Sequence, residues 1–475
     1  LRLAWFSPWP PDPSGVAGRS AEVTALLAAR DYAIDVYVDE RRIATGRLPA
    51  RPPARGEIRV LSAHDFIWRE ARTPYDLVVY QVGNSHLHEH VWPYLFRWPG
   101  LAVLHDARLH HARALALLSR GRADDYRVEF GWNHPHVDPR GAELGLGAFD
   151  GTYHYQWPMV RGVLDSSRLA ATHARGAIPE LEAQSTGQLI DYIALGEGIP
   201  AAIDGGARAT LRAAHGIPPG AVVFGVFGGL TVEKRLPEIL RSFAAVRRSV
   251  PHALLVLAGE PERVLDLDAR IKQLDLAGAT LTLGRLDDRA FDAWIGAVDV
   301  SLNLRWPTAL ETSGPWLRAL SAARPTVIID LAHMAHVPTL DPRTWVLHAP
   351  ARPGAGPPIA VSLDIRDEEH SLRLAMYRLA IDTDLREMLG RRARAYWEGE
   401  HTVGRMTDDY IRVMARAMTR PAPSPDRPSH MAPDPWAHTR HIAASLGPAA
   451  ADAISRLAGS SAPTSVGSTG PASIA

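Results

Sequence analysis

Short apolar runs recur along the chain, spaced by polar segments or by stretches in which apolar residues return every three or four positions. Leu1 to Ser7 reads as a strand, Trp9 to Gly18 as a Pro/Gly loop, and Ser20 to Ala29 as a helix. Ile34 to Val38, Leu77 to Gln81 and Leu101 to Leu104 predict three further buried strands; residues 113 to 160 are less regular; Leu169 to Thr172 and Ile190 to Leu195 complete a first half. Strands that are apolar throughout and separated by helical stretches indicate a parallel sheet covered on both faces.

The pattern then restarts. Pro218-Pro219-Gly220 breaks the chain, Val222 to Phe227 opens a new strand, and Gly228-Gly229 leads through a loop to a helix over Leu236 to Arg248. Leu254 to Leu257, Thr280 to Leu283, Val298 to Leu302 and Thr326 to Ile329 continue as strands. Helices are predicted around Leu265 to Leu274, Ala290 to Ala297 and Pro315 to Ala323, and from Glu368 to about Met418. Two doubly wound halves imply a cleft, with ligands beyond the carboxyl ends of the strands. The expected layout is a Rossmann-like domain over residues 1–200, a second over 201–395, a C-terminal helix over 396–420 crossing back to the first domain, and a Pro/Ser/Ala/Gly-rich tail over 421–475 expected to be disordered.

Composition narrows the chemistry. A chain of 475 residues that is 46% hydrophobic is too long for one compact core. Lys plus Arg equals Asp plus Glu at 52 each, so no global field draws in nucleic acid or an anionic membrane, and any basic site is local. The absence of cysteine removes thiol catalysis, thiolate zinc sites and iron-sulfur clusters. No apolar run approaches the roughly 20 residues of a membrane span, and the opening run is too short for a signal sequence before Pro8 and Pro10. A soluble, cytoplasmic protein is expected, with peripheral membrane contact left open.

Arg305 to Arg318 form the best candidate anion site. A strand ends, a polar turn containing Glu311 and Thr312 follows, and Pro315 falls where the first residue of a helix belongs, with Ser313 or Gly314 able to cap it. The free amides of that turn suit a phosphate; the alternative is an ordinary capped helix with Glu311 solvated beside it. Lys234 follows the Gly228-Gly229 strand end, where backbone can approach a ligand and an ammonium can face a diphosphate. A Lys-Arg pair at a helix start opposes the helix dipole, so Lys234-Arg235 is either solvated or faces an anion. His105-Asp106 follows a strand directly, where cleft residues belong. His86, Glu89 and His90 match an inverted zinc-peptidase spacing, although a surface helix start explains them as well. Asp266 and Asp268 would point apart on a helix, and Ser14-Gly15-Val16-Ala17-Gly18 lacks the dinucleotide fingerprint.

Together the Ser14-Gly15-Val16-Ala17 turn, Tyr80 to Ser85, Val103 to Asp106, Glu233 to Pro237 and Arg305 to Arg318 resemble the retaining GT-B glycosyltransferases of family four, over roughly Leu1 to Met418. That resemblance implies an α/β fold of two facing Rossmann-like domains and a hexose transferred from a nucleoside diphosphate sugar to a hydroxyl of a glycan, lipid-linked glycan or small-molecule acceptor. It also implies no cofactor and no metal. By the same resemblance Lys234 would hold the diphosphate with Arg235 nearby, Glu311 the hydroxyls of the sugar, and Thr312, Ser313 and Gly314 a phosphate. Gly284, Arg285 and Leu286 would touch the base, His105 the sugar, and Gly15, Gly228 and Gly229 would let backbone approach the donor. Two positions depart from the pattern. Ala319 stands where a ribose-binding Glu is common, and Gly229 where many members carry an Arg. These departures keep open a non-catalytic sugar-nucleotide-binding partner subunit, and the zinc spacing keeps open a hydrolase.

Overall fold

The computed structural model describes residues 1–42, 53–147, 152–198, 205–348, 356–431 and several positions between 447 and 456; most of the expected disordered tail lies outside them. Leu1–Asp426 forms one compact unit that holds both sheets. Among the described residues no helix is long and apolar enough to cross a membrane.

The first sheet comprises β1 (Arg2–Phe6), β2 (Ala33–Val38), β3 (Ile58–Ser62), β4 (Leu77–Val82), β5 (Leu101–Leu104), β6 (Leu169–Thr172) and β7 (Ile190–Tyr192), in the order 3-2-1-4-5-6-7. All its pairs are parallel, with Trp5 opposite Val36 on one side and Val79 on the other. The second sheet comprises β8 (Val223–Phe227), β9 (Leu254–Ala258), β10 (Thr280–Gly284), β11 (Val300–Leu302), β12 (Thr326–Ile329), β13 (Thr339–Leu340) and β14 (Ala360–Leu363), in the order 10-9-8-11-12-14-13, again parallel. The order reverses beside β1 in one sheet and beside β8 in the other. Strand ends splay apart there, so each sheet offers a crevice at its carboxyl edge.

The cores explain the strand composition. β1, β2, β4, β5 and β8 are buried along nearly their whole length, as expected of strands with helices on both faces. Trp316, Leu317 and Leu320 from the second domain share a buried cluster with Leu3, Trp5 and Val79 from the first, so the domains meet over a continuous apolar contact. The irregular stretch after residue 113 resolves into helices, among them Ala123–Asn133 and Gly141–Gly147, around a small separate core of Leu117, Tyr126, Phe130 and Met159.

The C-terminal helical stretch divides in three, Glu368–Ile381, Thr383–Glu400 and Val403–Met418. Helix Thr383–Glu400 packs on the second domain, where Gly390 lies against the backbone of Ala323. Thr402 then caps helix Val403–Met418, its hydroxyl accepting from Arg405 N at 3.2 Å. That last helix returns to the first domain: the rings of Tyr410 and Trp5 are 5.2 Å apart, and the Tyr410 hydroxyl donates to Gln81 Oε1 at 3.1 Å. At the crossover the backbone of Glu197 pairs in parallel with Thr402, so the two interdomain passages run side by side.

Candidate active site

Site residues enter from both sheets. On the second domain, Gly228 leaves β8 at φ 88°, a conformation open to glycine but costly for residues with a Cβ. A Cβ at Gly228 would lie 3.2 Å from both Lys234 Nζ and the Pro315 ring, so the lysine and the start of helix Gly314–Ser321 converge on this one point. Lys234 donates to the carbonyl of Phe227, the last residue of β8. Burial, with Arg305 nearby, pushes its ammonium down to about 7 against the opposing pull of Glu311.

Ser313, rather than Gly314, caps the helix, accepting from Trp316 N at 3.4 Å, and Pro315 therefore occupies its second position. Glu311 is held before this cap by Arg305, whose Nε lies 2.6 Å from Oε1, and by Thr308, whose hydroxyl donates to Oε2 at 2.9 Å. Burial works against the Arg305 charge, but Glu311, Glu233 and Asp106 together raise its pKa above the ordinary value. A small cavity of about 40 Å³ opens here, lined by Asn303, Arg305, Thr308, Glu311, Trp316 and His333.

On the first domain, β5 runs straight into His105 and Asp106. His105 Nε2 donates to Gln81 Oε1 at 2.8 Å, and its ring lies 4.7 Å from that of His173. Burial, with His173 and His88 alongside, holds His105 well below the ordinary imidazole value, so it is neutral at pH 7. Asp106 accepts from Asn84 N at 2.7 Å; burial and the Glu311 charge push it up to about 7, opposed by that bond and by Arg305. Asp106 is thus biased toward holding a proton, by its burial first and by the neighbouring Glu311 charge second.

The halves are joined across the cleft. Ala107 N donates to Ala309 O at 2.8 Å, the Thr312 hydroxyl to His173 O at 2.8 Å, and the Tyr155 hydroxyl to Glu233 Oε1 at 2.8 Å. Glu197, on the first passage between domains, binds Arg318 of the second domain (Nε to Oε1, 2.7 Å) and Arg19 of the first (Nη1 to Oε2, 2.9 Å).

No family model matches this sequence, and no curated protein matches it. Solved structures do match. HepE of Anabaena in complex with UDP and glucose is 14% identical, the alignment covering 88% of this chain and 100% of HepE at a TM-score of 0.57. WaaG, a glycosyltransferase involved in lipopolysaccharide biosynthesis, is 12% identical, with 87% and 99% covered at 0.56. Sucrose-phosphate synthase from Thermosynechococcus elongatus is 13% identical, with 88% and 98% covered at 0.58.

The chain has the GT-B fold. At these identities the likeness is one of architecture, and the residues must speak for the chemistry. Lys234, Gly228, Glu311, Ser313 and Gly314 lie together at one end of the GT-B cleft, with Thr312 hydrogen-bonded to the domain that carries His105. Gly15 faces the same place from the first domain, beside Arg19.

Other expected residues are directed elsewhere. Arg235 is turned away from Lys234: it sits at φ 59° and its fork is filled by Glu368 at 2.7 to 3.1 Å and by Glu238 at 3.2 Å. Gly229 adds no side chain, and a Cβ there would meet only the Thr231 methyl at 3.8 Å. Gly284 ends the edge strand β10 at φ 63°, Arg285 follows it, and Leu286 packs on the cluster of Phe227 and Trp294. Ala319 is wholly buried in that cluster. His86–Val91 forms a 3-10 turn, not an α-helix; at three residues per turn His86 and His90 leave from different faces, and Glu89 is paired with Arg120. Among the described residues no three His, Asp or Glu side chains group as metal ligands.

The residues that sequence reasoning missed are Arg19 and Glu197. Glu197 lies 178 positions from Arg19 and 121 from Arg318, beyond any local pattern. Arg19 did leave a signal, a positive charge early in a helix with no acidic residue in its first turn.

Proposed function

We propose that this chain is a retaining glycosyltransferase that moves a hexose from a nucleoside diphosphate sugar to a hydroxyl of a glycan, lipid-linked glycan or small-molecule acceptor. The observation that carries the reading is the convergence of Lys234 and the capped start of helix Gly314–Ser321 on Gly228, with Thr312 just ahead of that helix bonded to His173, whose ring lies 4.7 Å from that of His105. An ammonium beside the start of a helix, where Gly314 leads and the dipole is positive, is an arrangement for a diphosphate. The architectural neighbours include HepE, solved with UDP and glucose, which fits a sugar nucleotide here.

In this reading the bond between the anomeric carbon and the diphosphate oxygen breaks. The acceptor oxygen bonds to that carbon on the same face, and its proton passes to the departing diphosphate. Lys234 and the positive end of helix Gly314–Ser321 stabilise the charge growing on the leaving group, and preorganised electrostatics of this kind usually contribute most to the rate. Glu311, fixed by Arg305 and Thr308, orients sugar hydroxyls. Neutral His105 can contact the sugar without placing a second cation beside a carbon that is becoming electron-poor.

A second reading, a sugar-nucleotide-binding subunit without turnover, is favoured by Ala319, whose buried position leaves no carboxylate there for a ribose. A thermal-shift screen of UDP-, GDP-, ADP- and dTDP-sugars tests both. A ligand at about 100 times its Kd adds about 2.7 kcal/mol of stability. Stabilisation followed by nucleoside diphosphate release with an acceptor supports the transferase; stabilisation without release supports the binding subunit. No stabilisation by any sugar nucleotide overturns both.

A further inference from the structure

Arg19 occupies an electrostatically awkward place. It lies early in helix Gly15–Ala28, and its guanidinium folds back over the start of that helix: a Cβ at Gly15 would lie 2.9 Å from Nη2. The other end of the fork reaches the second domain, where a Cβ at Gly314 would lie 2.9 Å from Nη1. A cation is thus lodged between the first turns of two helices, one from each domain, and both turns are led by glycines that leave room for it. Helix N-termini carry a partial positive charge of about half an elementary unit and attract anions, not guanidinium groups.

The surrounding charges do not resolve the conflict. Among the described residues Glu197 is the carboxylate bonded to Arg19, and it is shared with Arg318, which also reaches Asp288 and Asp292. Glu22 acts on Arg19 only through space, and burial together with the Glu197 charge raises its pKa. Arg19 Nε is buried and has no hydrogen-bond partner. Lys234 meets Pro315, the second residue of the helix that Gly314 begins, through their shared approach to Gly228. Arg318 can therefore draw on Asp288 and Asp292, whereas Arg19, among the described residues, is bonded to Glu197 and sits beside two helix starts. A largely buried cation with one unmade bond, wedged between two helix starts where partial positive charge gathers, is placed to meet an anion that arrives from outside.

We propose that Arg19 is the second cationic contact of the donor diphosphate, delivered across the cleft from the first domain in place of a side chain at Gly229. The inference rests on the glycosyltransferase reading and adds a specific device to it. Each domain contributes one cation, so full diphosphate affinity requires the two domains together, and Glu197 aims the arginine until the phosphate engages it. Arg235, the nearest alternative in sequence, is consumed by Glu368 and Glu238.

The test is calorimetric binding of UDP, GDP, ADP and dTDP to the full chain and to three variants. Arg19→Gln should weaken the preferred diphosphate about 10- to 100-fold, the worth of one charge-assisted contact. Arg19→Lys, which keeps the charge but loses the fork, should weaken it by at least about threefold and gives the answer if Arg19→Gln fails to fold. Adding Gly229→Arg to Arg19→Gln, at a position with room for a side chain, should recover most of the loss. An arginine at Gly229 cannot restore a purely structural pair with Glu197, so a loss it does not repair overturns the proposal. Diphosphate binding by Arg19→Lys and Arg19→Gln equal to wild type also overturns it while leaving the glycosyltransferase reading intact. Failure of the unaltered protein to bind any of the four diphosphates overturns that reading, and this inference with it.

Discussion

Ala107 and Ala309 are hydrogen-bonded backbone to backbone across the cleft, N to O at 2.8 Å. Ala107 directly follows His105-Asp106 and Ala309 stands just ahead of Glu311, so the loops that carry the two halves of the site are registered by main chain rather than by side chains. Substituting site side chains should then alter chemistry while leaving the loops in place.

Lys234→Ala should lower turnover about 10²- to 10³-fold, the usual effect of removing one preorganised group from a developing charge. Circular dichroism should be unchanged. Initial rates with saturating donor are the measurement, and a rate within twofold of wild type would contradict the role.

The Lys234 ammonium, pushed down to about 7, gives donor affinity a pH dependence. Below that value the free protein already carries the charge that attracts a diphosphate. Above it the amine is neutral and must recapture a proton on binding, so the Kd for UDP should rise by up to about tenfold per pH unit until the bound-state value is reached. Titrations between about pH 6.5 and 9, spanning that range, should show this rise in wild type and not in Lys234→Ala.

Glu197 is 4% exposed and neutralises two arginines. Glu197→Ala strands Arg19, while Arg318 keeps Asp288 and Asp292, and breaking a buried pair from one side costs about 3–5 kcal/mol. Urea unfolding should report a loss of that order; a loss below about 1 kcal/mol, the range of exposed pairs, would show that Arg19 finds another partner.

The reaction should need no divalent ion. Magnesium is usually held by one or two carboxylates in addition to substrate phosphates, yet Glu311 is engaged by Arg305 and Thr308, and Glu233 by Tyr155. Rates in excess EDTA should match those with added magnesium or manganese. Activity abolished by EDTA and restored by one metal would refute this.

Much of the architecture was legible because fully buried strands write themselves as apolar runs: β1, β5, β6, β8 and β12 all fall within predicted stretches. β3 was not, because its burial alternates and Val60 is 41% exposed, so Ile58 to Ser62 never forms an apolar block. β14 escaped for a different reason: Ala360, Val361 and Leu363 are buried, but the run is brief and contains Ser362, whose hydroxyl is satisfied by Thr339 at 2.7 Å. At the site, the capped turn at Ser313 was readable since caps are local. Arg19 obeyed the same dipole rule that singled out Lys234, and could have been found by applying it to the first helix as well. Glu197 could not, as its meaning depends on partners that only the folded cleft assembles.

Helix Val403–Met418 makes the first domain wait for the far end of its own synthesis. Tyr410, Val413, Met414 and Ala417 complete the apolar cluster begun by Leu3, Trp5 and Val79, so the first domain's interior stays open to water until that helix has left the ribosome. The domain translated first is therefore finished last, and a nascent chain must carry an uncovered patch through synthesis of the whole second domain. Chaperone demand should peak late in translation, and a fragment ending at the first interdomain passage should aggregate rather than fold.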